Sequence, residues 1–513
     1  MNPPALYKTV FWVVIAASLL VRTWQFSETP GGLNQDEVSA AYEAWSLLET
    51  GKDRWGNSYP VYFPSWGSGQ NVLYSYLTVP FFFVFGANDF SFRLPNLLLS
   101  LLSLLLIYHI FKLFNQRQAL VAICVLGFSP WHIVLSRWAL EVNSFPFWIF
   151  LHFFLLFWLM KHRNQFIWLS FIPLVFASYT YAIALFSFPL YFLLLIFMAK
   201  EISTKQLLIG FSAYSVLSLP LLLFVLKPYF SFIPTDLLGL SLPDLASARE
   251  NFQENWKSVI HTNLQFIFRG FHDVTLWNTT MDSFPHSSLV LCSASLGGVI
   301  VGIKHSEKLS YKIWIAAFAA AAVPFFLFKM NLNRAILMQL MLIILSIEGI
   351  GFLLHAIQQK NERKLLIFFL SFIFLVHLSW FTLDYFRFYP KKTNVAFATD
   401  LEEVLNYLST QKEEIYITEQ LEFPYLYVAF YNNIHPKEFQ ELSKEKRMVE
   451  GRFIVDSMHN YHYFYKKINP LKTKNIPQES LVLLKKGEQR FIKESIKFEN
   501  SYWKIVQIGT LNL

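Results

Sequence analysis

Apolar residues fall along this chain in blocks rather than in alternation. Blocks close to span length recur near 9–26, 94–113, 119–135, 144–160, 166–180, 184–199, 206–226, 287–303, 311–328, 335–355 and 365–385. Wound as a helix, about 20 apolar residues match the hydrocarbon thickness of a bilayer, and lipid offers no hydrogen-bond partner to an open backbone. The pattern predicts about eleven transmembrane helices. The connections at Lys112/Arg117, Lys161/Arg163, Lys200/Lys205, Lys304/Lys308/Lys312 and Lys360/Arg363/Lys364 are basic. All of them fall on one side when the N-terminus is cytoplasmic, as the excess of Lys and Arg in inner loops demands. One shorter block, 72–86 (VLYSYLTVPFFFVFG), carries Pro80 at its middle. Counting it as a span would throw Lys112 and Lys161 outside, so it reads as a juxtamembrane helix lying at the interface.

From about Phe388 the pattern changes. Short runs at 415–418, 452–455, 480–484 and 503–508 read as strands, and 399–410 as a helix. The expected organisation is a transmembrane domain over 1–387 and a small α/β extracytoplasmic domain over 388–513. Composition agrees, with 54% hydrophobic and 15% charged residues and a mean hydropathy of +0.37. A soluble domain carries about 25% charged residues, so a cytosolic enzyme, a disordered chain and a disulfide scaffold are all excluded. The net charge of +8 sits in residues that bracket apolar blocks, where it sets orientation and implies no nucleic acid. Cys124 and Cys292 both lie inside apolar blocks, which argues against a cysteine metal cluster or redox pair. Arg22-Thr23-Trp24-Gln25 follows the first block where a cleaved leader would carry small residues, so no cleavage is expected there.

The first external loop, 27–93, holds the densest candidate chemistry. Pro30-Gly31-Gly32 makes a turn, Asn34 can cap, and Asp36 to Glu49 reads as a helix stopped by Gly51. Val38, Ala41, Trp45 and Leu48 form one stripe, and Asp36, Ser39, Glu43 and Ser46 another. Such a helix is expected to lie flat on the bilayer, apolar stripe down and polar stripe facing a cavity. Asp36 and Glu37 stand about 100° apart and cannot share one role, although both can complement the positive helix end. The aromatic residues that follow, Trp66 and Tyr74 among them, suit either an interfacial belt or stacking against a sugar.

Cations mark the outer mouths of the spans: Arg22, Arg93, Arg137 and Arg334. A single arginine at that depth snorkels; several on one face, opposite carboxylates, read as an anion site. Arg137 and Glu141 also stand at i,i+4 spacing, which suits a local ion pair, and His132 by itself reads as a satisfied interfacial histidine. Glu348 is the main acid inside a span, lying toward the inner side, while the other acids gather outside. A transporter or flippase of lipid-linked sugars, the alternative to an enzyme, would concentrate such groups near the midplane.

Asn34-Gln35-Asp36-Glu37 after the first span, Phe90-Ser91-Phe92-Arg93-Leu94-Pro95, Ser129-Pro130-Trp131-His132 with Ser136-Arg137 and Glu141, and Asn333-Arg334 together resemble GT-C membrane glycosyltransferases. The branch in question is that of the protein O-mannosyltransferases and lipid A aminoarabinose transferases, and the resemblance runs over about residues 8–355. It implies a sugar donor carried on polyprenyl phosphate and an extracytoplasmic acceptor: a glycan, a lipid or a protein. Asp36 matches the family's loop-one catalytic carboxylate, Glu141 its acidic position in the second loop, and Arg334 a basic residue near the lipid phosphate; Glu37 is carried beside Asp36 as a catalytic candidate. Arg22, Arg93, Arg137, Trp66, Tyr74 and His132 complete the expected substrate-binding set. Many members place a lysine where this chain reads Ser68-Gly69-Gln70-Asn71, so phosphate binding is left to arginines or to a divalent metal on Asp36 and Glu141. Glu141 stands without a paired acidic motif, which argues against a strong metal site.

Overall fold

The computed structural model describes residues 3–245, 256–269, 283–305, 307–442, 446–466, 468, 470–472, 476–490 and 494–508. Two compact units make up the chain, each assembled from three separate stretches. The first combines Met1–Trp24, Asn96–Val225 and Glu250–Tyr389; the second combines Gln25–Pro95, Leu226–Arg249 and Pro390–Leu513.

The first unit is helical, and each expected apolar block coincides with a helix or a broken helix. Pro3–Thr23, Ser283–Lys304, Ile336–Ala356 and Lys360–Leu383 are unbroken. Gln116–Gly127 bends by 57° into Pro130–Arg137, and Thr204–Leu217 bends by the same angle into the helix that starts at Leu219. A 3₁₀ turn over Asn164–Phe171 precedes Ile172–Thr180, and Leu309–Ala321 yields to Val323–Leu327. Each later fragment carries a proline at its first or second position: Pro130, Pro173, Pro220 and Pro324. Proline lacks the N–H and its ring strikes the carbonyl four residues back, which favours a break at these four positions, whereas Pro80, Pro95 and Pro189 lie inside continuous helices. Among the described residues, five helices are long and apolar enough to cross a membrane, or seven when each bent pair counts as one span. The chain is a multi-pass membrane protein.

Two helices of this unit approach at backbone contact. A Cβ on Gly298 would stand 1.9 Å from the Leu345 carbonyl oxygen, and one on Gly349 would stand 2.5 Å from that of Ala294. Small residues permit this, and Ser295 and Ser346 share a hydroxyl hydrogen bond of 2.9 Å at the same seam. Glu348, on the same helix, is buried under three neutral donors: Gln118 Nε2 at 2.6 Å, Tyr311 O–H at 3.1 Å and Trp314 Nε1 at 3.2 Å. The acid ties together the helices that carry those donors.

The second unit joins the loop helix Gln35–Thr50, the apolar helix Leu73–Phe85 and a six-stranded sheet. Leu73–Phe85 has 13 residues. At 1.5 Å per residue it reaches about 20 Å, short of a ~30 Å hydrocarbon core. The sheet runs in the order Ser457–Met458, Tyr461–Tyr463, Ile415–Ile417, Leu481–Lys485, Trp503–Ile508, Glu494–Glu499. Ile415–Ile417 is parallel to both neighbours, and the other pairings are antiparallel. Ile415, Ile417, Leu483 and Ile505 bury its centre. The strand expected near 452–455 forms elsewhere: Arg452–Ile454 pairs with Arg447–Val449 as a separate ribbon. The expected helix is observed as Leu401–Leu408.

Candidate functional site

The second unit builds its polar centre on the loop helix. Asn34 Oδ1 accepts the N–H groups of Asp36 at 2.6 Å and Glu37 at 2.9 Å, while Glu37 Oε2 accepts the Asn34 N–H at 3.2 Å. This reciprocal cap satisfies helix-end donors that would otherwise be buried unpaired. Gly51, at φ +65°, ends the helix in the left-handed conformation that glycine adopts without strain.

Glu37 is fully buried, and both its oxygens are engaged. Arg93 grips it in two-pronged fashion, Nε to Oε1 and Nη2 to Oε2, each at 2.9 Å. The same guanidinium donates to the carbonyls of Pro30, at 2.8 Å, and Gly32. Glu37 and Arg93 thus bolt the Pro30–Gly32 turn to the start of the helix. Tyr74 is also buried, and its hydroxyl donates to the Phe92 carbonyl. Trp66 is half-buried and stacks on Phe423 with centroids 5.3 Å apart. Asp36, one residue before Glu37, keeps partial exposure at the positive end of the helix.

The polar stripe does not face a cavity. Ser39, Glu43 and Ser46 are fully buried, as are Val38 and Ala41 on the stripe expected to lie on lipid. The chain after Gly51 folds back over the helix through backbone bridges between Lys52 and Ser58 and between Phe63 and Gln70. It delivers polar partners. Arg54 donates its N–H to Glu43 Oε2 at 2.8 Å, places Nε 3.4 Å from Oε1, and donates Nη1 to Ser39 Oγ at 2.8 Å. Ser39 donates to Gln70 Oε1 at 3.0 Å, and Gln70 Nε2 donates to the Asp36 carbonyl at 3.0 Å. From the C-terminal stretch, Gln440 Nε2 donates to the Asp53 carbonyl at 2.9 Å. Burial pushes the Glu43 carboxyl up to about 8, against the pull of Arg54. It raises Asp53 as well, although hydrogen bonds from Asn57 and Trp55 oppose the shift.

The first unit holds the remaining candidates. Arg22 is fully buried, donating Nη1 to the Gly127 carbonyl at 2.7 Å and facing His132 Nδ1 with Nη2 at 2.9 Å. A guanidinium only donates, so His132 Nδ1 accepts and its proton sits on Nε2. Arg22 Nε is buried without a hydrogen-bond partner. Arg137, equally buried, donates Nη1 to the Arg22 carbonyl at 2.7 Å and lies over the Phe386 ring at 5.0 Å. Neither arginine snorkels. The helix Pro130–Arg137 ends there, Trp138 is extended, and buried Glu141 opens a separate 3₁₀ turn, so Arg137 and Glu141 are not neighbours on one helix. Arg334 is half-buried between helices, with its N–H on Asn331 Oδ1 at 2.8 Å and Nη1 on the Lys329 carbonyl. Among the described residues, no group of three or more His, Cys, Asp or Glu side chains is placed to hold a metal ion.

Sequence reasoning missed Arg54 and Gln70. The only signal was indirect: a helix face carrying Ser39 and Glu43 needs partners once it is buried.

Residues 70–226, just under a third of the chain, match the family model of dolichyl-phosphate-mannose-protein mannosyltransferases. No curated protein matches the sequence significantly. The crystal structure of ArnT from Cupriavidus metallidurans in the apo state aligns with a TM-score of 0.52 at 11% identity, over 98% of this chain and 97% of that one. The same protein bound to undecaprenyl phosphate aligns with a TM-score of 0.55 at 10% identity, over 97% of each chain. At these identities the likeness is one of fold. The chain thus shares the fold of ArnT, and within it residues 70–226 are similar to the mannosyltransferase family model.

Proposed function

We propose that the protein transfers a sugar from a polyprenyl-phosphate donor to an acceptor hydroxyl on the extracytoplasmic side, with inversion at the anomeric carbon. The observation that carries this reading is the division of labour between neighbouring acids. Glu37 and Glu43 are buried and committed to arginines, whereas Asp36 keeps its partial exposure on a doubly capped helix end.

The chemistry is a single displacement. The acceptor oxygen attacks the anomeric carbon, its proton passes to the Asp36 carboxylate, and the carbon–oxygen bond to phosphate breaks with its electron pair going to the phosphate. A placed carboxylate base contributes typically 10²–10⁴-fold. Phosphate leaves without an acid's help, but its growing charge calls for fixed cations, and arginine supplies planar, two-pronged donors. By the sequence resemblance alone this role falls to Arg334, with Arg137 as a further candidate, while Arg93 is engaged by Glu37. The bound undecaprenyl phosphate in the structurally similar ArnT supports the donor class. The acceptor is a cell-envelope glycan, lipid or protein, and the membrane is the plasma or inner membrane.

Purified protein given a panel of polyprenyl-phosphate sugars tests the proposal. Wild type should turn over at least one of them, and Asp36→Asn should lose turnover by about 10²-fold or more at unchanged expression. Transfer from a UDP- or GDP-sugar without any lipid carrier would overturn it.

A further inference from the structure

Asp36 is held through its peptide group as well as through its place on the helix. Its N–H goes to Asn34 Oδ1, and its carbonyl accepts from Gln70 Nε2 at 3.0 Å. Gln70 is itself fixed from several directions. Its backbone N–H and C=O exchange hydrogen bonds with Phe63 at 2.9 Å each. Its Oε1 accepts from Ser39 Oγ at 3.0 Å and Ser65 Oγ at 3.3 Å, and the residue is buried. Ser39 in turn accepts from Arg54 Nη1, and Arg54 is bonded to Glu43. One hydrogen-bonded chain therefore runs Glu43–Arg54–Ser39–Gln70–Asp36. Every member before Asp36 is buried, so its orientation is set by protein and not by water.

A side-chain amide suits this place for a chemical reason. One end must accept from two hydroxyls while the other donates to a carbonyl, and the amide of Asn or Gln carries both functions on one planar group at every pH. Packing alone would be served by any side chain of similar volume.

We propose that Gln70 is a positioning residue: its amide sets the orientation of the Asp36 peptide, and with it the direction of the Asp36 carboxylate. The role rests on the reading that Asp36 takes the acceptor's proton. A reacting group misplaced by about 1 Å costs on the order of 10²-fold in rate. Gln70 is buried among protein partners, so the loss belongs in kcat and not in KM.

The test is steady-state kinetics of the full-length protein, with the undecaprenyl-phosphate sugar that the wild type turns over. Gln70→Glu keeps the length but sets a carboxylate oxygen against the Asp36 carbonyl; Gln70→Met keeps the volume and removes the donor. Both should lower kcat by about 10- to 100-fold while donor KM stays within about threefold. Ser39→Ala leaves Gln70 in place and removes one of its anchors, so kcat should fall by about threefold with KM again constant. This third variant carries the test should the Gln70 variants fail to fold, which their melting temperatures reveal. Wild-type kcat in Gln70→Met or in Ser39→Ala overturns the proposal, as does a rise in KM that matches the fall in kcat. Asp36→Asn, run in parallel, separates the two ideas. Full turnover there removes the base and the positioning role with it; lost turnover there beside an unaffected Gln70→Met removes the positioning role alone.

Discussion

Glu37 and Asp36 are adjacent in sequence and opposite in fate. Glu37 faces inward and neutralises Arg93, so taking its charge away leaves a guanidinium buried without its counter-ion. Breaking a buried pair from one side costs about 3–5 kcal/mol. Glu37→Gln should therefore lower the melting temperature of the purified protein strongly. An unchanged melting temperature would deny the pair its structural role. Glu43 makes a second claim at this scale. Burial lifts its carboxyl from the ordinary 4.5 to about 8, so the folded state binds a proton that the unfolded chain releases. Its contribution to stability is fully present below about 4.5 and is lost as pH rises through about 8. Melting curves across that window should slope downward for wild type and more gently for Glu43→Gln. Parallel slopes would show that Glu43 does not titrate there.

The elements of the loop were legible because their signals are local. Asn34, Glu37 and Gly51 mark both ends of the helix Gln35–Thr50 within a turn of where they act. What covers its polar stripe was not legible, because Arg54 lies 11 residues from Glu43 and Gln70 lies 31 from Ser39. No period or motif encodes such a return; it follows from how the chain folds back. In the membrane unit, apolar blocks located the helices, but block length alone did not show that prolines cut several of them. The Gly298–Gly349 seam gives the element scale its prediction. Gly298→Ala forces a methyl toward the Leu345 carbonyl, so the two helices must part. Overpacking of this kind costs about 1–3 kcal/mol. Thermal unfolding in detergent should reveal it, and a wild-type melting temperature would mean that the helices separate freely.

For the whole molecule, charge in the connections sets orientation. If the five basic connections share the cytoplasmic side, as the positive-inside bias predicts, the C-terminal stretch is expected on the other. A cysteine at exposed Glu413 should react with a membrane-impermeant maleimide in intact cells. Reaction only after lysis would invert the arrangement and place Asp36 on the cytoplasmic side. The pattern of apolar blocks alone predicted a multi-pass membrane protein. It did not predict that compact units would be stitched from interleaved stretches, since contacts between distant stretches leave no trace in local pattern.

That interleaving has a consequence in time. The loop helix is among the first segments to leave the ribosome, yet the Tyr42 hydroxyl donates to the carbonyl of Ile434, 392 residues later. Gly32 is closed in by the Phe397 carbonyl, and Asp89 receives the hydroxyl of Tyr431. At about 5–20 residues per second, the loop waits roughly 20–80 s for those partners. Throughout that interval Asn34 and Glu37 can cap the helix, and Arg93 can hold its turn, because all three are made early. Those local bonds need no partner from the late stretch. A chain halted before residue 390 would present a capped helix with its tail-facing side bare, a natural target for membrane quality control.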